Sequence, residues 1–427
     1  MTFGILTLGC RVNHYESRVI KEDLEEMGLT SQPFSSKCDI YVINSCAVTE
    51  ESVRKTRQMV RRAYKSNPDA FIAVCGCASQ LEGTSFSDMK EISFVGGTRN
   101  KQIVINAIRS FINNEPYPKA LVPNPEGELT PTLITDFDRT RAYVKIEDGC
   151  EGKCAYCIIP KVRGGIVLRD ENEILCEVKA LAKSGCHEVV LTGIETSAYG
   201  KALSELIKKI SQIDGINRIR LGSLDPSFIK PEFVDAISDI KEVCHHFHIS
   251  IQNGSDRILA LMRRRYNTSM IRRNLEYLKS KMPDLNLSAD VIVGFPGESE
   301  EDFEKTCNFV SDIGFLHLHI FTYSKRPGTE AAEMKDQIPE HIKTERLHRL
   351  SAIADEEKER ILNSVIEEGK SINVLVETFE NGYHTGHTDN FIECMIKNES
   401  DKEAINKGDI VSVIPCGILD GKLLCKI

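Results

Sequence analysis

The stretch Arg141-Ala142-Tyr143-Val144-Lys145-Ile146-Glu147-Asp148-Gly149-Cys150-Glu151-Gly152-Lys153-Cys154-Ala155-Tyr156-Cys157 decides how this chain is read. Arg141 to Ile146 has the length and composition of a strand, and a CxxxCxxC run follows it. Three thiolates on one short loop can hold three irons of a four-iron cluster and leave the fourth without a protein ligand. A structural zinc site is closed by four ligands, and the nearest histidine after the run is His187. Cys150, Cys154 and Cys157 therefore read as iron–sulfur ligands around an open iron.

Working outward, the segment after Arg141 alternates strand-like and helical stretches. Strands are predicted at Arg141–Ile146, Glu188–Thr192, Asn217–Gly222, His246–Ile251, Leu287–Val293 and His317–Thr322. Helices are predicted at Glu171–Lys183, Ala202–Ile213, Pro231–Ile240, Ser269–Lys281 and Glu300–Ile313. Six βα units predict a partial TIM-like (β/α)6 barrel whose strand C-termini share one active-site face. The cysteine loop follows the first strand and so lies on that face. Beyond a charged helix at Lys343–Glu368, runs at Ile372–Glu377, Phe391–Ile396 and Ile410–Ile414 predict a small antiparallel β-barrel.

Upstream, the first 112 residues alternate in the same way, which predicts an α/β unit with a parallel sheet. Pro116, Pro118, Pro123, Pro125 and Pro131 then mark a linker. The expected organisation is residues 1–112, a linker at 113–138, a barrel at 139–369 and a last domain at 370–427.

Three strands of the first unit end in cysteine: GILTLGC gives Cys10, DIYVINSC gives Cys46, and AFIAVCGC gives Cys75 and Cys77. Strand C-termini of an open parallel sheet share one crevice, where ligands bind. Gly9 and Gly76 precede Cys10 and Cys77 and permit close backbone approach. Cys10, Cys46 and Cys77 are thus predicted to hold a second cluster. Cys77 is preferred because Cys75 continues the buried run Phe71–Val74.

The chain has 427 residues, 41% hydrophobic and 27% charged, which predicts a globular protein of two or three domains. No apolar run is long enough to span a bilayer and the start lacks a signal-peptide pattern, so a cytoplasmic location without membrane contact is expected. Fifteen cysteines in such a chain point to metal or redox chemistry rather than disulfides. A net charge of −9 excludes a generally basic nucleic-acid binder. Two local patches, Arg54-Lys55-Arg57-Arg61-Arg62-Lys65 and Arg263-Arg264-Arg265-Arg272-Arg273, read either as solvated helix faces or as phosphate contacts. His245, His246 and His248 read as core or solvent residues, because no metal-ligand pattern surrounds them.

The chain resembles the radical S-adenosylmethionine (SAM) methylthiotransferases along essentially its whole length. LGCRVNHYES (Leu8–Ser17), VINSCAVT (Val42–Thr49) and GCASQ (Gly76–Gln80) are similar to that family's N-terminal motifs, and KIEDGCEGKCAYCIIPKVRG (Lys145–Gly164) to its catalytic-cluster motif. LTGIETSAYG (Leu191–Gly200), RIRLGSLDP (Arg218–Pro226), DVIVGFPGE (Asp290–Glu298) and FTYSKRPGTEAA (Phe321–Ala332) extend the match. The resemblance implies an N-terminal cluster domain, a radical SAM barrel and a C-terminal TRAM-like β-barrel. It also implies two [4Fe-4S] clusters, on Cys10/Cys46/Cys77 and on the catalytic Cys150/Cys154/Cys157.

Tyr156, Arg163, Gly193, Glu195, Gly294, Pro296 and Gly297 are the expected SAM-binding residues. Tyr156 would lie near the adenine, Glu195 and Arg163 at the amino and carboxylate ends, and the Gly-Pro-Gly loop beside the backbone. Tyr323 would line the substrate entrance or pack. The Arg-Val-Asn after Cys10, the Cys-Ala-Val-Thr around Cys46 and the Tyr-Ser-Lys-Arg-Pro-Gly-Thr stretch look most like the branch acting on N6-threonylcarbamoyladenosine at position 37 of tRNA. The other branches act on N6-isopentenyladenosine-37 or on an aspartate of ribosomal protein S12. A non-catalytic iron–sulfur sensor is the reading from another class. Implied partners are the tRNA anticodon loop, a reducing electron donor such as flavodoxin or ferredoxin, and a sulfur donor. Two departures stand out: Ser250 and Asn253 replace the family's usual Pro and Ser, and the last domain carries nine acids against six lysines.

Overall fold

The computed structural model describes residues 1–127, 129, 132–137, 140–397 and 405–427. The first 121 residues build a six-stranded parallel sheet in the order β2-β1-β3-β4-β5-β6, from β1 (Thr2–Thr7), β2 (Thr30–Ser31), β3 (Ile40–Ser45), β4 (Phe71–Gly76), β5 (Phe94–Gly96) and β6 (Ala120–Leu121). β3 and β4 are buried along their full length, as a sheet covered by helices on both faces requires. The long helices are Arg11–Glu26, Glu50–Ser66 and Gln102–Ile112, with short turns of helix at Cys77–Leu81 and Gly83–Ser87. Glu50–Ser66 begins at Thr49, whose hydroxyl accepts the Ser52 amide, with Glu50 and Glu51 on the positive end of the helix dipole.

β6 lies within the stretch expected as a linker, 113–138. Ala120 and Leu121 pair with Val95 and Gly96 and complete the sheet, a two-residue strand between prolines too short to leave a periodic signal. Pro131, Asp138 and Arg139 of that stretch, and Glu399, Asp401 and Glu403 near the C-terminus, lie outside the described residues.

A half-barrel follows, in two parallel sheets. β7 (Arg141–Lys145), β10 (Glu188–Thr192) and β11 (Arg218–Leu221) form one, and β12 (Ser223–Leu224), β13 (His246–Gln252), β14 (Asn286–Val293) and β15 (His317–Thr322) the other. β8 (Glu147–Asp148) and β9 (Val167–Leu168) make a small antiparallel ribbon around the cysteine loop. The third expected strand, Asn217–Gly222, is β11, and just past it, after Gly222, the chain crosses to the other sheet as β12. A Cβ at Gly222 would lie 3.0 Å from the Leu191 carbonyl oxygen, so a side chain there would be tight against the neighbouring backbone.

Alternation along the strands separates two environments. Ala142, Val144, Val189, Leu191, Ile219, Phe247, Ile249, Leu287, Ala289 and Val291 join the apolar core beneath the helices. Arg141, Tyr143, His246, His248, Ser288, Asp290, His317 and His319 occupy the alternate positions and face the lumen. The helix Arg11–Glu26 packs against β7, and its Tyr15 and Val19 enter the barrel core. The first sheet thus abuts one edge of the half-barrel.

The 29-residue helix Glu340–Glu368 runs from the barrel to a closed five-stranded barrel of β16 (Ile372–Glu380), β17 (Tyr383–Thr388), β18 (Glu393–Lys397), β19 (Ile410–Leu419) and β20 (Lys422–Lys426). The small barrel is antiparallel as expected, with β18 and β20 paired in parallel where the sheet closes. This small barrel closes the N-terminal mouth of the larger one. Phe391 projects from its β17–β18 turn at φ 70° and stacks between His246 and His387, with ring centroids 4.6 and 4.7 Å away. The Arg220 guanidinium lies 4.7 Å above the same ring. Arg218 donates to the carbonyls of Asn373 and His387, each at 3.0 Å.

Phe391→Ala should destabilise the protein by about 2–4 kcal/mol, toward the lower end of aromatic truncations because the ring is half-buried. Calorimetry should show a lowered Tm together with easier separation of the two barrels.

Candidate active site

Cys10, Cys46 and Cys77 meet at the C-terminal edge of the first sheet. Gly9 at φ 107° and Gly76 at φ 99° adopt backbone that side chains resist. A Cβ on Gly9 would stand 2.9 Å from Cys46 Cβ, and one on Gly76 would stand 2.4 Å from the Ser45 carbonyl oxygen. The three thiols are close enough for each charge to be felt by another. Cys75 points away, into the core with Phe3, Val42 and Phe94.

Cys150, Cys154 and Cys157 likewise sit on one loop and sense one another. The Gly152 amide donates to Cys150 Sγ at 3.2 Å and the Ile159 amide to Cys157 Sγ at 3.4 Å, as the Val48 amide does to Cys46 Sγ at 3.5 Å. Sulfurs that accept amide bonds suit cluster ligation, since such bonds tune a cluster's potential. Among the described residues no three His, Cys, Asp or Glu side chains converge on one ion-sized point. Ligands of a four-iron cluster each bind a different iron and stand correspondingly apart, so the two triads fit a cluster better than a single ion.

Burial pushes the Cys150 and Cys46 thiols up to about 11 and Cys157 to about 12. Metal-free, these thiols hold their protons, and ligation must displace them.

Arg163 joins the two triads. Its guanidinium is fully buried; Nη1 donates to Glu16 Oε1 at 2.6 Å and to Asp148 Oδ2 at 3.1 Å, Nη2 to Asn13 Oδ1 at 2.6 Å, and Nε lies 3.4 Å from Cys77 Sγ. This corrects the expectation that Arg163 holds the SAM carboxylate: its donors are engaged inside the protein. Burial alone would push Asp148 up, but Arg163 and Lys145 overcome it and hold the carboxyl at about 2.

The arginine bonded to the Cys150–Cys157 loop is Arg264. Nη1 donates to Cys154 Sγ at 3.1 Å, Nη2 to Asp225 Oδ2 at 2.9 Å and Nε to the Tyr266 hydroxyl at 2.7 Å. It had been one member of an expected surface patch. That patch is dispersed: Arg263 pairs with Glu330 and Arg272 with Asp312. In the other patch Arg54 pairs with Glu51 and Arg57 with Glu82, while Lys55, Arg61, Arg62 and Lys65 are exposed.

Beside Cys150 two carboxyls are packed together. The Glu195 amide donates to Glu147 Oε2 at 2.8 Å, and a Cβ on Gly193 would lie 2.5 Å from that same oxygen. Desolvation pushes Glu147 up to about 8 and raises Glu195 as well. Glu147 Oε1, Thr196 Oγ1 and the Tyr323 hydroxyl are buried without a partner among the described residues. Acidic groups and orphaned polar atoms around the open side of the loop fit a ligand carrying an ammonium and hydroxyls, as SAM does.

Gly294 (φ 72°) and Gly297 (φ 80°) form the expected tight turn with Pro296. Glu298 secures it, accepting from the Gly294 amide at 2.7 Å and from Arg346 at 2.8 Å. The residue of this turn that reaches the cysteine loop is Phe295, edge-on to Tyr156 at 6.3 Å and to Tyr323 at 5.5 Å. Tyr323 is buried in that aromatic cluster rather than lining an entrance. Asn253, the departure from the family pattern, is also buried and donates to Glu298 Oε1 at 3.0 Å.

Below the loop the lumen is polar. His246 and His248 share Ser288 at 2.8 and 3.0 Å, and His248 pairs with Asp290 at 3.0 Å. Glu188 is shared by Arg141 at 3.0 Å, Arg220 at 2.8 Å and Arg218 at 3.7 Å. His319 and Phe321 of β15 are exposed.

Comparison with known proteins agrees with this layout. The model of the radical SAM superfamily matches residues 144–310, and that of uncharacterized protein family UPF0004 matches residues 2–97. The chain is similar to the threonylcarbamoyladenosine tRNA methylthiotransferase MtaB of Bacillus subtilis, at 37% identity over 94% of this chain and 91% of that protein. The MtaB of Thermotoga maritima is 36% identical over 88% and 87%. A tRNA-2-methylthio-N(6)-dimethylallyladenosine synthase of Syntrophus aciditrophicus is 34% identical over 99% and 94%. Among solved structures, the radical SAM methyltransferase TsrM of Kitasatospora setae shares the fold, with a TM-score of 0.59 at 14% identity over 78% of this chain and 77% of that one.

Arg163→Gln leaves Glu16 and Asp148 buried with only Lys101 and Lys145 as cations and should cost about 3 kcal/mol. Iron analysis of the reconstituted variant should show loss centred on the Cys10/Cys46/Cys77 set. Glu147 gives a pH signature. Its folded value of about 8 lies above the ordinary 4.5, so its contribution is complete below 4.5 and is lost as pH rises through 8. Thermal melts without SAM should show a falling Tm over that window and a shallower fall in Glu147→Gln.

Proposed function

The chain belongs to the radical SAM tRNA methylthiotransferases, and on that premise we propose that it places a methylthio group on carbon 2 of N6-threonylcarbamoyladenosine at position 37 of tRNA. The observation carrying this reading is the joining of two cysteine triads through one buried arginine, with Nε of Arg163 3.4 Å from Cys77 Sγ and Nη1 on Asp148 at the base of the catalytic loop. One triad suits radical generation and the other sulfur delivery. When bound, the two [4Fe-4S] clusters and SAM supply the radical and the methylated sulfur that no protein acid or base can provide.

The chain's own residues place and shield. Glu147 and Glu195 offer acid to the SAM ammonium beside Cys150, Tyr156 and Phe295 wall the adenine side, and Arg264 holds Cys154. A polar lumen suits a substrate arm rich in hydrogen-bonding groups better than an apolar isopentenyl arm. An anticodon loop presents bases that can be splayed out and inserted.

The functional units proposed are residues 1–112, 139–369 and a TRAM-like 370–427. Exposed Arg61, Arg62 and Lys65 supply phosphate contact that the acid-rich last barrel does not. A flavodoxin- or ferredoxin-class electron donor and a separate sulfur donor complete the system. No helix among the described residues is long and apolar enough to cross a membrane, in keeping with work in the cytoplasm on tRNA.

Nucleoside mass spectrometry of tRNA from cells lacking the chain should show loss of 2-methylthio-N6-threonylcarbamoyladenosine. The intact chain should restore it and Cys77→Ala should not. Loss of the isopentenyl analogue instead, or of a modified aspartate on ribosomal protein S12, would overturn the assignment.

A further inference from the structure

β15 pairs in parallel with β14, Asp290 opposite His319 and Ile292 opposite Phe321. Leu318 and Ile320 pack against the core beneath the helices, so His317, His319 and Phe321 share the other face, that of the lumen. The ring of His319 lies 5.3 Å from that of His248 on β13, another lumen residue. Phe321 is one step nearer the cysteine loop. It is 45% exposed and belongs to none of the apolar clusters among the described residues. Single apolar residues on an open surface need no explanation, but an unpacked ring in a concave polar lumen is a different case. Two contacts fix where it stands. On one side its in-register neighbour Ile292 packs in the cluster that contains Ala155 and Tyr156 of the cysteine loop. On the other, β15 is the edge strand of its sheet, and Ser324 Oγ, three residues on, accepts the amide of Glu50 at 3.4 Å, where the loop leaving Cys46 ends. Phe321 therefore occupies the lip between the catalytic loop and the Cys46 limb of the other triad.

An aromatic face left open in a polar cavity suits a flat π-surface brought by the ligand, and every nucleobase offers one. We propose that Phe321 is the platform on which the adenine ring of the substrate nucleotide stacks. This rests on the reading of adenosine 37 of tRNA as substrate and deepens it. Stacking takes the face of the base and leaves its edge, carbon 2 included, open to groups standing around the ring. With the cysteine loop on one side of Phe321 and the Cys46 loop on the other, a base held there lies between the two triads that must act on it in turn. His319 and Asp290, deeper in the lumen, are left to whatever the base carries. The platform reads the ring and not the arm, so it places every adenosine alike and leaves the choice among modified adenosines to the polar groups below.

The test crosses protein variants with two RNAs. One anticodon stem-loop carries unmodified adenosine at position 37, and the other an abasic site there, which removes the ring and keeps the phosphates. Reconstituted full-length protein should bind the first about tenfold more tightly than the second. Phe321→Leu, which keeps an apolar side chain without a π-face, should bind both alike, at the abasic value, and Phe321→Trp should keep the preference. The slope of affinity against salt should be the same throughout, since no phosphate contact changes. Iron content and SAM affinity by equilibrium dialysis should match wild type in Phe321→Leu. Phe321→Leu that keeps the full preference, or wild-type protein that does not distinguish the two RNAs, overturns the platform and leaves the assigned reaction standing. Loss of SAM affinity in Phe321→Leu with the RNA preference intact makes SAM the occupant of the ring and overturns it equally. Wild-type protein that binds neither stem-loop and leaves threonylcarbamoyladenosine in intact tRNA unmodified sinks the assignment itself.

Discussion

Arg163 is the point on which the molecule is assembled. One guanidinium bonds Asn13 and Glu16 of the first unit, Asp148 of the barrel's ribbon, and approaches the sulfur of Cys77. Glu16 also takes Lys101 at 3.1 Å and Lys145 at 3.8 Å. Burying so many charges carries a desolvation cost that mutual attraction only partly offsets. What such a network supplies instead is uniqueness: any slip of one unit on the other strands an ion away from water. The relative position of the two triads is thereby set by electrostatics as well as by apolar packing.

The lumen follows from the same economy of contact. A half-barrel that ends at β7 and β15 carries polar residues on its inner face because they pair with one another there and another unit lies along its edge. Gly222 lets the sheet turn without a side chain in the fold line, and the apolar alternate residues hold each strand from outside. Charged groups are consequently paired around the bottom of the lumen, where Glu188 gathers three arginines, and sparser toward its mouth.

Much of this was legible in the sequence. Both triads declared themselves by spacing and by their places at strand ends, and period-2 apolar runs marked the long strands. β6 and β12 escaped because two residues leave no period, and the crossing after Gly222 lies tight against a distant backbone. Arg264 was hidden by its neighbours: a run of arginines looks like a surface, and only the packing of Tyr266 and Asp225 turns the middle one inward. Arg163 was recognised by position and misread in role, since its partners at Asn13 and Glu16 are some 150 residues away in the chain. Phe295 carries no signal of its own between Gly294 and Pro296. Long-range burial decided each of these cases.

Phe391 has a consequence for traffic. The ring stops the end of the barrel away from the cysteines, so the lumen has a closed floor on that side. A group that entered the lumen would meet stacked rings there and remain on the cysteine side. The last barrel thus gives the lumen its floor without touching the chemistry.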